Sequence, residues 1–255
     1  MPVLDLTVSI VQSSLAWENI PENISRFEKK LSRLKGGPDL VVLPEMFTTG
    51  FTMKPDRAAV PMDGEPVQWM RRMAERCGAA IAGSMIIKEK GSYYNRLLFT
   101  MPDGAMCHYD KRHLFRMGGE NNVYTAGDEK RIVLWKGWRI ALFVCYDLRF
   151  PVWMRNRGND YDIALVAANW PERRISHWKT LIAARAVENQ SYMLACNIVG
   201  MDGNGVRYPG GSAVVDPLGK ALVRAGGRER TITARLSYNA MTEYREKFPV
   251  WKDAD

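Results

Sequence analysis

Only four cysteines and three histidines are spread over the 255 residues. Cysteines so few and so far apart (Cys77, Cys107, Cys145 and Cys196) exclude the disulfide framework of a small secreted domain and read as free thiols. His108, His113 and His177, with Cys107, supply metal-ligand types. No two of them keep a Cys-x-x-Cys or His-Glu-x-x-His spacing, so no metal is expected. The longest apolar run, Ile140–Tyr146, is far short of the ~18 residues of a membrane-spanning helix, and no membrane partner is expected. The first residues alternate apolar and polar with an acid at Asp5, without the basic start and apolar core of a signal peptide, which points to the cytoplasm. Acids are in deficit: Lys+Arg 36 against Asp+Glu 28 leaves +8. That sign admits anionic partners from nucleic acid to a small carboxylate. Arg224, Arg228, Arg230 and Arg235 near the C-terminus are not interleaved with aromatics and accompany no recognised binding motif, so nucleic acid is not expected.

What is present is an ordinary globular composition, 46% hydrophobic and 25% charged, with a length that suits one large α/β domain or two small ones. Leu4, Leu6, Val8 and Ile10 alternate with polar residues as in a half-buried strand. Ile20, Ile24, Phe27, Leu31 and Leu34 recur at helical steps until Gly36-Gly37-Pro38. A buried strand at Leu40–Leu43 follows, then a helix with Val67, Met70, Met73, Ala74 and Cys77 on one face, ended by Gly78 as a left-handed cap. Another strand covers Ala79–Ile87. From Arg96 to Phe143 the pattern is strand-rich, with turns at Pro102-Asp103-Gly104 and Lys136-Gly137. Strand Ile163–Ala168, a helix with Trp178, Leu181, Ile182, Arg185 and Asn189 on one face, strand Tyr192–Val199, a hairpin through Ser212–Arg224 and a helix at Ser237–Lys247 complete the order. This order fits an α/β layered fold of one domain, residues 1–255, with two sheets and no internal repeat.

Glu45, Lys111 and Cys145 each follow a predicted strand, and ligands gather at the carboxyl ends of strands in open α/β sheets. The chemistry makes sense of the set. A cysteine thiol is mostly protonated at neutral pH and needs a base to become a nucleophile, a part open to Glu45. Lys111 and the backbone N–H of Tyr146 would hold a developing oxyanion. The residues alone equally allow a core cysteine, a solvated glutamate and a solvated basic face at Lys111-Arg112-His113. They also allow a Cys–His hydrolase using Cys145 with His113 or His177.

At these positions the chain resembles the nitrilase, or carbon–nitrogen hydrolase, superfamily. Leu43-Pro44-Glu45-Met46-Phe47, Tyr109-Asp110-Lys111-Arg112-His113-Leu114-Phe115 and Cys145-Tyr146-Asp147-Leu148-Arg149-Phe150-Pro151 are similar to its glutamate, lysine and cysteine motifs, in the family's order. The likeness continues through Ala184–Asn189, Asp202–Gly205 and Tyr244–Pro249. It implies a four-layer α-β-β-α sandwich and a Glu-Lys-Cys triad acting through a thioester: Glu45 as base, Lys111 as oxyanion stabiliser, Cys145 as nucleophile. Glu120 is the nearest match to a second active-site glutamate. Within the superfamily, Cys145–Trp153 and Asn169-Trp170-Pro171 look most like bacterial omega-amidases, which hydrolyse the terminal amide of 2-oxoglutaramate or 2-oxosuccinamate. Other amidases of the superfamily, acting on deaminated glutathione or N-carbamoyl amino acids, are the alternative. The resemblance implies no cofactor, a small carboxylate amide as substrate, and a homodimer or higher homo-oligomer. Arg149 would clamp the substrate carboxylate or pair with Asp147, with Arg173 and Arg174 in reserve. Phe47, Phe115 and Trp170 would wall the pocket.

Overall fold

In the strand that begins at Ile163, residues Ile163, Leu165 and Ala167 face one way and Ala164, Val166 and Ala168 the other, and all six are fully buried. A strand apolar on both faces has to be covered on both. The computed structural model, which describes residues 3–253, shows how. The strands are β1 (Leu6–Gln12), β2 (Leu40–Val42), β3 (Ala80–Glu89), β4 (Ser92–Thr100), β5 (Met106–Asp110), β6 (Arg131–Trp135), β7 (Trp138–Val144), β8 (Ile163–Ala167), β9 (Tyr192–Cys196), β10 (Val199–Met201), β11 (Arg207–Pro209), β12 (Ala213–Val215), β13 (Ala221–Arg224) and β14 (Arg230–Leu236). Two six-stranded sheets run in the orders β14-β1-β2-β3-β4-β5 and β13-β12-β9-β8-β7-β6, with β10 and β11 as a separate two-stranded piece.

The helices are α1 (Ile20–Leu31), α2 (Pro55–Ala58), α3 (Glu65–Cys77), α4 (Pro151–Met154), α5 (Ile175–Glu188) and α6 (Tyr238–Lys247). Phe27 and Leu31 of α1 and Val67, Met70 and Met73 of α3 pack on Val41, Leu43 and Ile81 at the outer face of the first sheet. Trp178, Ile182 and Ala186 of α5 pack on Phe143, Val166 and Ala195 at the outer face of the second. Between the sheets, Val8, Ile10, Leu97 and Phe99 meet Ile140, Leu142, Leu165 and Leu194. The layers are therefore α-β-β-α, as expected.

The sheets share a topology the residue pattern does not advertise. Each has three parallel strands (β1-β2-β3 and β7-β8-β9), one antiparallel strand outside the first of them (β14 and β6) and two outside the third (β4-β5 and β12-β13). Two expectations need correction. The first helix stops at Leu31 rather than reaching Leu34, because Ser32 and the turns after it already satisfy the last carbonyls. The strand-rich stretch is broken: residues 111–130 hold no strand but two 3₁₀ turns, Arg116–Gly118 and Glu120–Asn122, separated by the left-handed Gly119. Gly78 ends α3 at φ +59°, where glycine is favoured because no Cβ opposes that conformation.

Candidate active site

Among the non-glycine residues in the left-handed region are Met46, directly after Glu45, at φ +41° and Cys145, directly after β7, at φ +42°. Such a backbone costs on the order of 1–3 kcal/mol and persists only where its surroundings over-determine it. At Cys145 the clamp is Asp147, wholly buried two residues on. Its carboxylate accepts from Val144 N (2.9 Å), Tyr109 Oη (2.7 Å) and His113 N (2.9 Å), and its Oδ1 lies 2.8 Å from His113 Nδ1. From the other side Arg185 Nε of α5 donates to Leu148 O at 3.1 Å. At Met46 the backbone N–H donates to Ser84 Oγ at 2.8 Å.

Glu45, Lys111 and Glu120, from three separate segments, meet in a buried cluster. Lys111 Nζ donates to Glu45 Oε1 at 2.8 Å and to Glu120 Oε1 and Oε2 at 3.0 and 2.9 Å; the three side chains are 0–1% exposed. Further donors finish the carboxylates. Asn169 N reaches Glu45 Oε2 at 2.8 Å, Phe115 N reaches Glu120 Oε2 at 2.6 Å, and Asn95 Nδ2 reaches Oε1 of both. Asn169 Nδ2 also holds the backbone oxygen of Glu45 at 2.9 Å.

The electrostatics follow from two buried acids sharing one cation. Burial opposes the Lys111 charge, but the carboxylates of Glu120 and Glu45 outweigh it and raise the ammonium's pKa, so it stays protonated. Burial pushes the Glu120 carboxyl up, against the pull of Lys111. Burial, and then the charge of Glu45, push the Cys145 thiol well above its ordinary value, while Lys111 opposes them. Cys145 therefore rests as a neutral thiol, its Sγ 3.9 Å from Asn169 O.

Cys145 and Lys111 line a cavity of about 160 Å³. It is small beside the roughly 300–1,000 Å³ of pockets for drug-sized ligands, which fits a short acyl group. Tyr146, Arg149, Phe115 and Trp170 line it as well, and so do Arg173 and Arg174. The Arg149 guanidinium stacks 4.9 Å above Trp170 and that of Arg174 lies 5.0 Å from the Phe115 ring. None of the three arginines has an ion-pair partner among the described residues. Asp147 is committed to Tyr109, His113 and Val144, and Arg149 instead meets His177 Nδ1 at 3.0 Å.

Phe47 is not a pocket wall. It is fully buried on the outer face of the first sheet, edge-on to Phe27 at 5.3 Å and beside Trp69 at 5.8 Å, because the turn after Glu45 sends its side chain toward the helices. Phe51 lines the cavity in its place, its ring 5.2 Å from Lys111 Nζ. The histidines are engaged elsewhere: His113 binds Asp147 and stacks on Phe150 at 3.8 Å, and His177 faces Arg149. Among the described residues no group of three or more His, Cys, Asp or Glu side chains could hold a metal ion. Sequence reasoning missed Asn95, the parts played by Asn169 and Asp147, and the Asp202–Tyr208 hairpin that closes one side of the cavity. For Asn95 the local signal is faint, because β4 also carries Ser92, Arg96 and Thr100 and an amide does not stand out among them.

The carbon–nitrogen hydrolase family model matches residues 7–246, and the chain belongs to that family. It is 48% identical over 251 residues to the omega-amidase YafV of Escherichia coli K12, covering 98% of this chain and 97% of the relative. It is 32% identical to a 2-oxoglutaramate amidase of Bacillus subtilis, covering 97% and 96%. Among solved structures, XC1258 of Xanthomonas campestris, a member of the same superfamily with an arsenic adduct in its active site, superposes with a TM-score of 0.96 at 47% identity, over 98% of this chain and 97% of that one. With such relatives along nearly its whole length, the chain is an amide-hydrolysing enzyme.

Proposed function

We propose that the protein hydrolyses the terminal amide of small 2-oxo-dicarboxylic acid monoamides, 2-oxoglutaramate and 2-oxosuccinamate, to the dicarboxylate and ammonia. The observation that carries this reading is the pairing of two kinds of group in one small cavity. One wall carries a neutral thiol with an ammonium that pairs with a carboxylate, and the same cavity is lined by three arginines that have no acid partner among the described residues. An unpaired guanidinium is a ready bidentate partner for a carboxylate. The names of the YafV and Bacillus subtilis relatives support the same choice of substrate.

In the mechanism we infer, Glu45 takes the thiol proton as Cys145 Sγ attacks the amide carbon. Lys111 Nζ and the Tyr146 N–H hold the negative oxygen of the tetrahedral intermediate. The carbon–nitrogen bond then breaks, the proton on Glu45 passes to the leaving nitrogen, and ammonia departs from a thioester. Water, activated by Glu45 with Glu120 alongside, attacks the thioester; the carbon–sulfur bond breaks and the thiol recovers its proton. The raised thiol pKa supports a base that acts during attack rather than a thiolate formed beforehand. No organic cofactor or metal enters any step. Arg149 clamps the distal carboxylate, Trp170 and Phe115 flank it, and Arg173 and Arg174 add positive charge. The chain acts as a single catalytic unit, in the cytoplasm and as a homodimer or larger assembly, the last of which sedimentation would test.

The experiment is ammonia release from 2-oxoglutaramate, with glutamine, an N-carbamoyl amino acid and a simple nitrile in parallel, for the wild type and Cys145→Ala. Release from the oxo-amide that is lost in the variant is the expected result. Release surviving in the variant overturns the mechanism, and release from another substrate alone overturns the substrate.

A further inference from the structure

Asn95 lies in the middle of β4, fully buried, and does not line the cavity. Its Nδ2 donates to Glu45 Oε1 at 2.8 Å and to Glu120 Oε1 at 3.1 Å. Its Oδ1 accepts from Ser84 Oγ at 2.8 Å, and Ser84 Oγ accepts in turn from Met46 N at 2.8 Å. A serine hydroxyl carries one proton. With that proton on Asn95 and the Met46 N–H on its lone pair, the carboxamide has one workable orientation, nitrogen toward the carboxylates. The reverse orientation would aim Oδ1 at two carboxylate oxygens.

Lys111 Nζ lies within 3.0 Å of three oxygens of these two acids, yet one positive charge cannot neutralise two negative ones. The charged and titratable groups around the cluster are Lys111 from the end of β5, Cys145 from the end of β7, and the phenols of Tyr124 and Tyr208. Among the described residues Asn95 is the neutral donor that reaches both carboxylates. We propose that Asn95, oriented by Ser84, is a positioning residue that holds Glu45 and Glu120 at a fixed separation and Glu45 in place to receive the thiol proton. Without that N–H the two carboxylates would share a proton, as closely placed acids do, and the base would be blocked at rest. The inference rests on Glu45 being the base.

The test uses Asn95→Asp, nearly isosteric, with Asn95→Ala and Ser84→Ala. Two readouts are followed against pH: ammonia release per titrated thiol, and alkylation of Cys145 by iodoacetamide, which needs no substrate. In Asn95→Asp, kcat is expected to fall roughly 100-fold, as misplacement of a reacting group does. KM should stay within about threefold, because Asn95 does not touch the cavity. The acid limb of kcat and the alkylation profile should both move up by about one pH unit or more, since a third carboxyl disfavours ionisation of its neighbours. Asn95→Ala and Ser84→Ala should shift the same way by less. A merely structural role would lower the melting temperature and the yield of titratable thiol. The kcat per thiol and both pH profiles would then stay at wild-type values, and that result overturns the proposal. If the Asn95 variants do not fold, the same readouts on Ser84→Ala decide it. If wild-type enzyme releases no ammonia from 2-oxoglutaramate, the substrate assignment fails by itself, and the alkylation profiles still judge Asn95.

Discussion

The two sheets repeat one topology and divide the chemistry unequally. The first sheet and the loop leaving β5 supply every charged group of the buried cluster, Glu45, Lys111 and Glu120, together with the neutral Asn95. The second supplies Cys145, with Asp147 fixing its turn, and the arginines that line the cavity. The halves meet where the middle parallel strands end. Asn169, two residues past β8, bonds both the Glu45 carboxylate and the Glu45 backbone, which follows β2. Proton-handling groups gain from the low dielectric between the sheets, where one ammonium governs two acids. Cys145 sits instead on a turn at the edge of that space, where it lines the cavity as a ligand-facing thiol would have to. The same scaffold thus buries the Glu45-Lys111-Glu120 cluster in one half and exposes the thiol to the cavity from the other.

The division is broken most completely at its two ends. Cys145→Ala should abolish turnover in an ammonia-release assay while circular dichroism and melting stay near wild type. Lys111→Ala should lower kcat by at least roughly 100–1,000-fold. It should also lower the melting temperature, because it strands two buried carboxylates without their cation. His113→Ala should leave turnover in place, since in the proposed mechanism His113 only supports Asp147; a dead variant would revive a Cys–His mechanism.

Smaller effects sharpen the comparison. Arg149→Ala should raise KM for 2-oxoglutaramate roughly 10–100-fold, the loss of a charge-assisted pair, with much less change in kcat. A KM unchanged in steady-state kinetics would move the carboxylate site to Arg173 or Arg174. Beside the C-terminal end of β1, Glu229 accepts from Lys30 and Ser14. Although partial burial opposes it, these donors hold its carboxyl down at about 2 against an ordinary 4.5. A depressed acid contributes its stability in full above about pH 4.5 and loses it as pH falls toward 2. Glu229 is 43% exposed, so the contribution is modest. Glu229→Gln should melt roughly 1–3 °C below wild type at pH 7, and the gap should close as the pH is lowered from 4.5 to 2.

Much of this architecture was legible in residue order. The doubly buried strand Ile163–Ala168, the Gly78 cap and the α3 stripe are local patterns, set by side-chain periodicity and one backbone preference, and they appear where periodicity puts them. Other features had no local signature. Phe47 sits beside a motif yet belongs to the outer core, because the positive φ at Met46 turns the chain and only the tertiary packing reveals which way. Residues 111–130 read as strand-rich, but Lys111 and Glu120 must bend back onto Glu45, and that long-range demand overrides β propensity.

By itself the sequence determined the layers, the family and the chemical types available: a thiol, a base, a cation and a surplus of arginine. Those follow from composition, period and short motifs, which depend on neighbours a few residues away. Only the tertiary structure decided that Lys111 stands between two glutamates, that Asn95 bridges them, that Asp147 holds the turn at Cys145 rather than pairing with Arg149, and that the repeat lies in topology alone. Most of these contacts join separate segments, as far as 66 positions apart for Lys111 and Glu45, in a buried space where a polar group is stable only when every partner is in place.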